Sequence, residues 1–400
     1  MALDRDRFAA KFVRALRASG VKGDIQYHAS DFKLSLAESH EFFLGNAYAD
    51  YCKLPWWRRG RVLRQYASSQ VDIDRGIPSS YEEARKNILP RVRDRNYYGL
   101  VELGFRKAGR FQGESPFVYQ PLAEHLAVEL VYDMPSSVAS ISPSTLAGWG
   151  QSFDEVMKAA RFNLRMRSAG GFACPRPGLF VSPWRDNYDC GRLILTEVIS
   201  RLEVKGDQVA MVPHRDALLV TGSDDAEGLS AMAALAEPLV SDHRRVSARL
   251  VRLAAGGWVP FALTPAHPAY PAVHRMQTIC TAQDYEQQKE ALEAIHAQSG
   301  EDVFVASCTV MQNQETGRLW SYSLWAEGLR ALLPHTEVIA FVSERFGGAS
   351  AVTHMIPWQH VADTVGNLLA PTGLHPERYR VEGFPTDAQL AEMAPHRFEP

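Results

Sequence analysis

Residues 212–221 read VPHRDALLVT and residues 333–342 read LPHTEVIAFV. Each sets an apolar residue and Pro-His-x-acid ahead of a hydrophobic run. A short run rich in Val, Leu, Ile and Phe that follows a turn signal reads as a buried strand. Proline presets φ for the second position of a turn, and Asp or Glu serves near its exit. Both stretches therefore read as corners between strands, with His214 and His335 marking bends in the backbone.

Around the first corner the pattern runs strand (LFVSPW), helix (GRLILTEVISRLE), strand (QVAMV), turn, strand (ALLVTG), helix (EGLSAMAALAEPLV). A hairpin, ARLVRL-AAGG-WVPFAL, closes it, and Gly256-Gly257 can take the positive φ of a tight turn. Around the second corner come a strand (DVFVASCTV), a helix (GRLWSYSLWAEGLRALL), the turn, a strand (VIAFVSE) and a helix (WQHVADTVGNLLA). Gly-Arg-Leu opens the first helix of both sets. The ordered recurrence predicts an internal duplication of a strand-helix-hairpin-helix-hairpin unit, 179–261 repeated as 303–386.

Towards the N-terminus, Asp6 to Leu16 reads as a helix with Phe8, Phe12, Val13 and Leu16 on one face. DIQYHA and FKLSL read as a hairpin, and EFFLGNAYADYCKL as a helix stopped by Pro55. Tyr81 to Arg93 reads as a helix interrupted at Pro90. HLAVELVYD reads as a strand. SPSTLAGWG and SFDEVMKAARFNLRMRS read as helices, each with a serine to cap its first turn. The mixture predicts an α+β fold with mixed or antiparallel sheets and packed helices. A chain of 400 residues exceeds what a single core usually holds. The expected division is an N-terminal α/β lobe over 1–110 and a central α+β lobe over 111–264. A Pro-rich linker over 265–273 (Pro265, Pro268, Pro271) then leads to a C-terminal lobe over 274–400 that resembles the second half of the central one.

The net charge of −3 hides a polarity. Residues 53–110 carry 14 Lys or Arg against 6 Asp or Glu, and residues 266–400 carry 8 against 16. Within the basic region, LPWWRRGRVLRQYA places Trp56 and Trp57 beside Arg58, Arg59, Arg61 and Arg64, with Arg91 and Arg93 further on. Aromatic rings and guanidinium groups together can stack on bases and neutralise phosphates. The competing reading is a helix start with packed tryptophans and solvated arginines. The opening MALDRDRFAAKFVRALRASG has basic residues throughout and lacks the apolar core of a signal peptide. No run of about 18 apolar residues could span a bilayer. Five dispersed cysteines without Cys-x-x-Cys spacing fit free thiols in a reducing compartment. The expectation is a cytoplasmic protein.

Catalytic chemistry would draw on Cys308, His335 and Glu337, since a thiol needs a nearby base to attack at neutral pH. Against this, the first unit carries Trp184 where the second carries Cys308. Asp186, Asp189, Asp216, Asp224 and Asp225 could offer oxygen to a hard cation, but their spacing matches no calcium loop. They read as turn and cap carboxylates. No metal and no cofactor is expected, since the chain has neither a phosphate-binding Gly-rich loop nor a Gly-x-Ser-x-Gly elbow.

Several stretches resemble the YtpQ-like family of bacterial proteins of unknown function, over about residues 5–262. They are FFLGNAYADYCKLP, ILPRVRDRNYYG, HLAVELVYDMPSSVASIS, LAGWG with the helix to NLR, NYDCGRLIL and VAMVPHRDALLVTGSDDAEGL. The family-like positions are Asn187, Asp189, Pro213, Arg215, Asp216 and Asp224; His214 falls outside the pattern. The resemblance implies a soluble α+β protein without an established reaction. WWRRG departs from it, and the segment after 270 lies beyond it. The functional expectation is a non-catalytic interaction or accessory protein with a protein partner. The alternatives are a hydrolase or transferase with a site between lobes, and nucleic-acid binding through 53–110.

Overall fold

The structure is a computed structural model that describes residues 4–36, 40–111, 115–344 and 352–398. It is an α+β fold with antiparallel and mixed sheets. Two compact units are formed, residues 1–91 with 129–169, and residues 92–128 with 170–400. The chain leaves the first unit inside the strand Ile88–Asp94 and returns inside Leu126–Asp133. These units differ from the expected boundaries at 110 and 265. Residues 265–273 do not separate domains. Pro271 sits in the first turn of a 30-residue helix, Tyr270–Ser299, where a missing N–H costs nothing because that group has no intrahelical partner.

In the first unit, the helix Arg5–Ala18 is capped by Asp4, whose carboxylate accepts from the Asp6 N–H at 2.9 Å. Its buried stripe is Phe8, Ala9, Phe12 and Leu16. A three-stranded antiparallel sheet follows (Ile25–His28, Lys33–Leu36, His40–Phe43), one strand more than the expected hairpin. Phe8 packs edge-on against Tyr51 of the helix Gly45–Lys53, with ring centroids 5.0 Å apart. Leu34, Leu44 and Val62 complete this core, and each such burial contributes roughly 1.5–3 kcal/mol. Ser142 and Ser152 cap the helices Pro143–Trp149 and Phe153–Met166 as their sequences foretell. The expected Tyr81–Arg93 helix is one α turn, Tyr81–Ala84, and a 3-10 turn, Arg85–Asn87, after which the chain extends as a strand holding Pro90. The buried run of Ile88, Leu89 and Val92 favours extended backbone.

The second unit is built on a six-stranded antiparallel sheet. Its order is Gly257–Phe261, Leu250–Ala254, Gln208–His214, Ala217–Gly222, Leu179–Val181 and Ala173–Arg176. The helix Ala226–Val240 and the start of Tyr270–Ser299 cover it, burying Val209, Met211, Leu219, Leu229, Met232 and Val273 in one core. Asp225 caps the first of these helices by accepting from the Gly228 N–H at 3.0 Å. Any Cβ at Gly228 would stand 2.2 Å from Thr221 Oγ1, so glycine is required there. The helix Arg95–Lys107 lies in the same unit, with Leu103 against Leu292.

The expected duplication is not reproduced. Residues 303–386 divide between two four-stranded sheets that contain parallel pairs, whereas 179–261 lies in a single antiparallel sheet. The expected helix over 317–333 is two strands, Leu319–Ala326 and Ala331–Pro334. Ser323 and Trp325 are buried while Leu324 between them is exposed. That period-two alternation, with aromatic residues, belongs to a strand. The two Pro-His corners are real bends but different ones. Arg215 and Asp216 form a two-residue turn between neighbouring strands, with His214 opposite Ala217. Residues 335–337 instead carry the chain from one sheet into the other.

Candidate functional site

The stretch Trp56–Arg64 presents a ridge in the first unit. Residues 56–58 form a turn before the helix Arg59–Arg75. Trp56 is 77% exposed and Trp57 66%, so the packed reading of the tryptophans is overturned. The helix begins at Arg59, too late to fold them inward. Their rings meet edge-on at 5.9 Å. Arg59 is anchored: its Nε donates to the Leu54 carbonyl at 2.9 Å and its guanidinium lies over Tyr51. Arg58, Arg61 and Arg64 are exposed and form no ion pair among the described residues. Arg91 does not extend this surface. Arg91 is buried and donates to Glu129 at 2.7 Å and to Ser140 at 3.0 Å. Arg93, in the second unit, is half-buried over the Tyr97 ring.

Cys308, His335 and Glu337 do not form a catalytic set. No hydrogen bond joins any two of them. The His335 N–H donates to the Tyr285 hydroxyl at 3.0 Å and its ring packs on Trp358. Glu337 accepts from the Ser321 N–H at 3.2 Å through Oε1 and meets His274 Nε2 at 3.3 Å through Oε2. Burial pushes the Cys308 thiol up to about 12, with Arg378 opposing and Glu337 and Glu286 adding to the rise. A thiol so protected is not a nucleophile at neutral pH. Iodoacetamide near neutral pH is therefore expected to label Cys308 at least about a hundredfold more slowly than exposed Cys174. Peptide mass mapping over time reads this, and equal rates would contradict the burial.

The family-like positions adjoin one another in the second unit. The Cys190 N–H donates to the Arg215 carbonyl at 3.2 Å, joining NYDCGRLIL to the PHRD corner. Asn187 holds a left-handed φ of 72°, which asparagine tolerates better than most residues. Asp186 receives both terminal nitrogens of Arg192 at 2.8 Å. These hydrogen bonds and the Arg192 charge hold its carboxyl below the usual carboxylate range against the opposing effect of burial, which is the largest single influence. Asp189 accepts from the Asp186 N–H at 3.2 Å. Pro213 is buried at the end of its strand. The Asp216 N–H donates to His214 Nδ1 at 3.0 Å, closing the turn. Asp224 accepts from the Ser223 hydroxyl at 3.0 Å. These residues hold turns. Among the described residues no group of three His, Cys, Asp or Glu side chains converges as metal ligands.

A cleft of about 200 Å³ in the second unit went unread in the sequence. Tyr270, Val273, His274 and Gln277 line it from the first two turns of the long helix, at the i, i+3, i+4, i+7 spacing of one face. Leu250 and Phe261, paired across neighbouring strands, form a second wall with Leu263. Glu124, His125 and Arg249 close it. Segment 124–125 is fixed by Arg95, whose N–H donates to the His125 carbonyl at 2.9 Å and whose Nη1 donates to the Glu124 carbonyl at 3.0 Å. His125 is 7% exposed and its buried Nε2 has no partner. Burial and the Arg249 charge push it down to about 3, so it is neutral across the physiological range. The same two causes, in that order, lower His335.

No protein-family model, no curated protein and no solved structure matches the chain. Among the described residues no helix is long and apolar enough to cross a membrane.

Proposed function

We propose that the chain is a non-catalytic interaction protein that docks an acidic protein partner on the Trp56–Arg64 ridge. The observation that carries this is the exposure of two adjacent tryptophans beside three arginines that have no ion-pair partner among the described residues. Large aromatic rings left in water are costly, and Trp and Arg dominate the energetics of protein interfaces. Support for binding over catalysis is the Cys308 thiol, which burial keeps protonated and which has no hydrogen bond to His335 or Glu337. The YtpQ-like resemblance, a family without an established reaction, belongs to the same reading; its support is that its two most specific stretches adjoin in the fold. A cytoplasmic location is part of the proposal, supported by five dispersed cysteines without disulfide-like spacing.

The test compares the full chain with a Trp56→Ala/Trp57→Ala variant in affinity capture at low and moderate salt, followed by titration of the captured protein. Loss of about 2 kcal/mol or more, roughly thirtyfold in affinity, marks a pair of interface hot spots. A partner held equally by both proteins, or none held at either salt, overturns the proposal. Binding of an oligothymidylate that disappears in the variant would also overturn it, and would assign the ridge to single-stranded nucleic acid.

A further inference from the structure

Arg249 stands out among the cations of the second unit. It is half-buried, and only its backbone N–H is engaged, donating to Ser247 Oγ at 3.3 Å. Its guanidinium has no hydrogen-bond or ion-pair partner among the described residues, yet it lines the cleft. Nearby Arg245, by contrast, is paired with Asp284. The carboxyls of Asp94 and Asp284 feel its charge without a hydrogen bond or ion pair to it, so its planar fork is open to an anion.

The rest of the cleft selects which anion. Leu250, Phe261, Leu263 and Val273 supply an apolar wall. Tyr270 and His274 stack at 5.1 Å, and His274 is held in place by Glu337. His125 brings a neutral, unpartnered imidazole. Glu124, exposed, adds a negative charge at the rim. With Asp94 and Asp284 already within the field of Arg249 and Glu124 in the lining, a carboxylate monoanion brings less excess negative charge than a phosphate dianion. We propose that the cleft binds a small carboxylic acid with an apolar tail, its carboxylate gripped by Arg249 through two parallel N–H···O bonds and its tail laid against Phe261, Leu263 and Val273. The volume sets the size, below the several hundred Å³ of pockets for drug-sized ligands. This site stands on different residues from the tryptophan ridge, and either can fail without the other.

Benzoate is the probe, with neutral benzamide and inorganic phosphate as comparison arms, measured by ligand-observed NMR titration on the full chain. Saturable binding of benzoate, with benzamide much weaker, is expected. Arg249→Gln should weaken benzoate at least about tenfold and Arg249→Lys less, because the ammonium keeps the charge but not the fork. Arg249 has no hydrogen bond or ion pair to lose, and Arg249→Lys keeps the charge near Asp94 and Asp284, so Arg249→Lys should melt close to the wild type without ligand; where Arg249→Gln does not, Arg249→Lys carries the comparison. Absence of saturable benzoate binding, unchanged affinity in both variants, or equal binding of benzamide would each overturn the proposal. So would phosphate binding in place of benzoate, since the cleft would then be an oxyanion site without use for its apolar wall.

Discussion

Replacing Arg378 by Ala is expected to lower the free energy of unfolding of the second unit by about 3–5 kcal/mol. Arg378 is fully buried. Its Nε donates to Gln288 Oε1 at 2.6 Å, its Nη1 to the carbonyls of Ala306 and Leu332 at 2.7 and 3.0 Å, and its Nη2 to the carbonyl of Tyr285 at 3.0 Å. The plane also lies over the Tyr285 ring at 5.1 Å. Burial pushes Arg378 down to about 10, which leaves it charged at neutral pH. Removing the side chain takes a donor from three backbone carbonyls and an amide; the Leu332 carbonyl keeps the Ala306 N–H at 3.1 Å, and all four lose a charged donor in the core. The damage spreads because the acceptors belong to different segments: the long helix supplies Tyr285 and Gln288, while Ala306 and Leu332 come from the sheet region beyond it. Gln288 in turn donates to the Pro376 carbonyl and Tyr285 to that of Glu377. Arg378→Lys keeps a charge but cannot reach all four acceptors, so it should recover only part of the loss. Urea denaturation followed by tryptophan fluorescence measures both. A loss below about 1 kcal/mol for Arg378→Ala would mean that these hydrogen bonds add little beyond what water gives the unfolded chain.

Arg378 also shows where a sequence stops being legible. RYRVEG reads as an ordinary strand with alternating polar residues, and it is one. What makes Arg378 structural is a set of backbone carbonyls 46 to 93 residues away, which no local pattern encodes. Local chemistry did speak at the helix caps Ser142 and Ser152, at the buried stripe of the first helix and at the two Pro-His corners. These depend on neighbours within a turn or two. The helix expected over 317–333 failed because repeated Gly-Arg-Leu outweighed an aromatic alternation that favours a strand. The duplication failed with it, since short shared words do not fix which strands pair. Trp56 and Trp57 were ambiguous for a similar reason. Pro-Trp-Trp-Arg-Arg is compatible with packed or exposed rings, and only the start of the helix at Arg59 decides. Arg249 gave no signal at all. Its apolar–charged alternation in ARLVRL is that of many strands, and the openness of its guanidinium is a property of the folded unit. The helical face that lines the cleft was written in Tyr270, Val273, His274 and Gln277, but three nearby prolines argued for a linker and hid it.

His125→Phe is expected to stabilise the protein in acid while changing little at alkaline pH. In the folded chain burial, with Arg249 beside it, pushes His125 from its ordinary 6.5 down to about 3. In the unfolded chain it takes up a proton at the ordinary value. Between these two values the unfolded state binds the extra proton, so stability rises with pH and is lost as pH falls below 6.5. At about pH 4.5 the wild type should have lost roughly 2–3 kcal/mol through this residue, at about 1.4 kcal/mol for each unit below its ordinary value. Phenylalanine removes both the titration and an unpartnered buried nitrogen. His335 and His375 are lowered as well, by burial first, and they keep the same sign of slope in both proteins. Asp94 acts in the opposite sense. Burial, reinforced by Asp284, raises it to about 7, so its contribution is greatest below 3.8 and is lost as pH rises through the raised value. It therefore flattens the wild-type curve over the window in which the histidines tilt it. The difference between variant and wild type cancels these shared contributions and isolates His125. Urea midpoints taken from about pH 4 to about pH 8 should diverge as the medium becomes acidic. Parallel curves would mean that the imidazole takes up its proton at the same pH in the folded and unfolded chain, contrary to its burial beside the Arg249 charge.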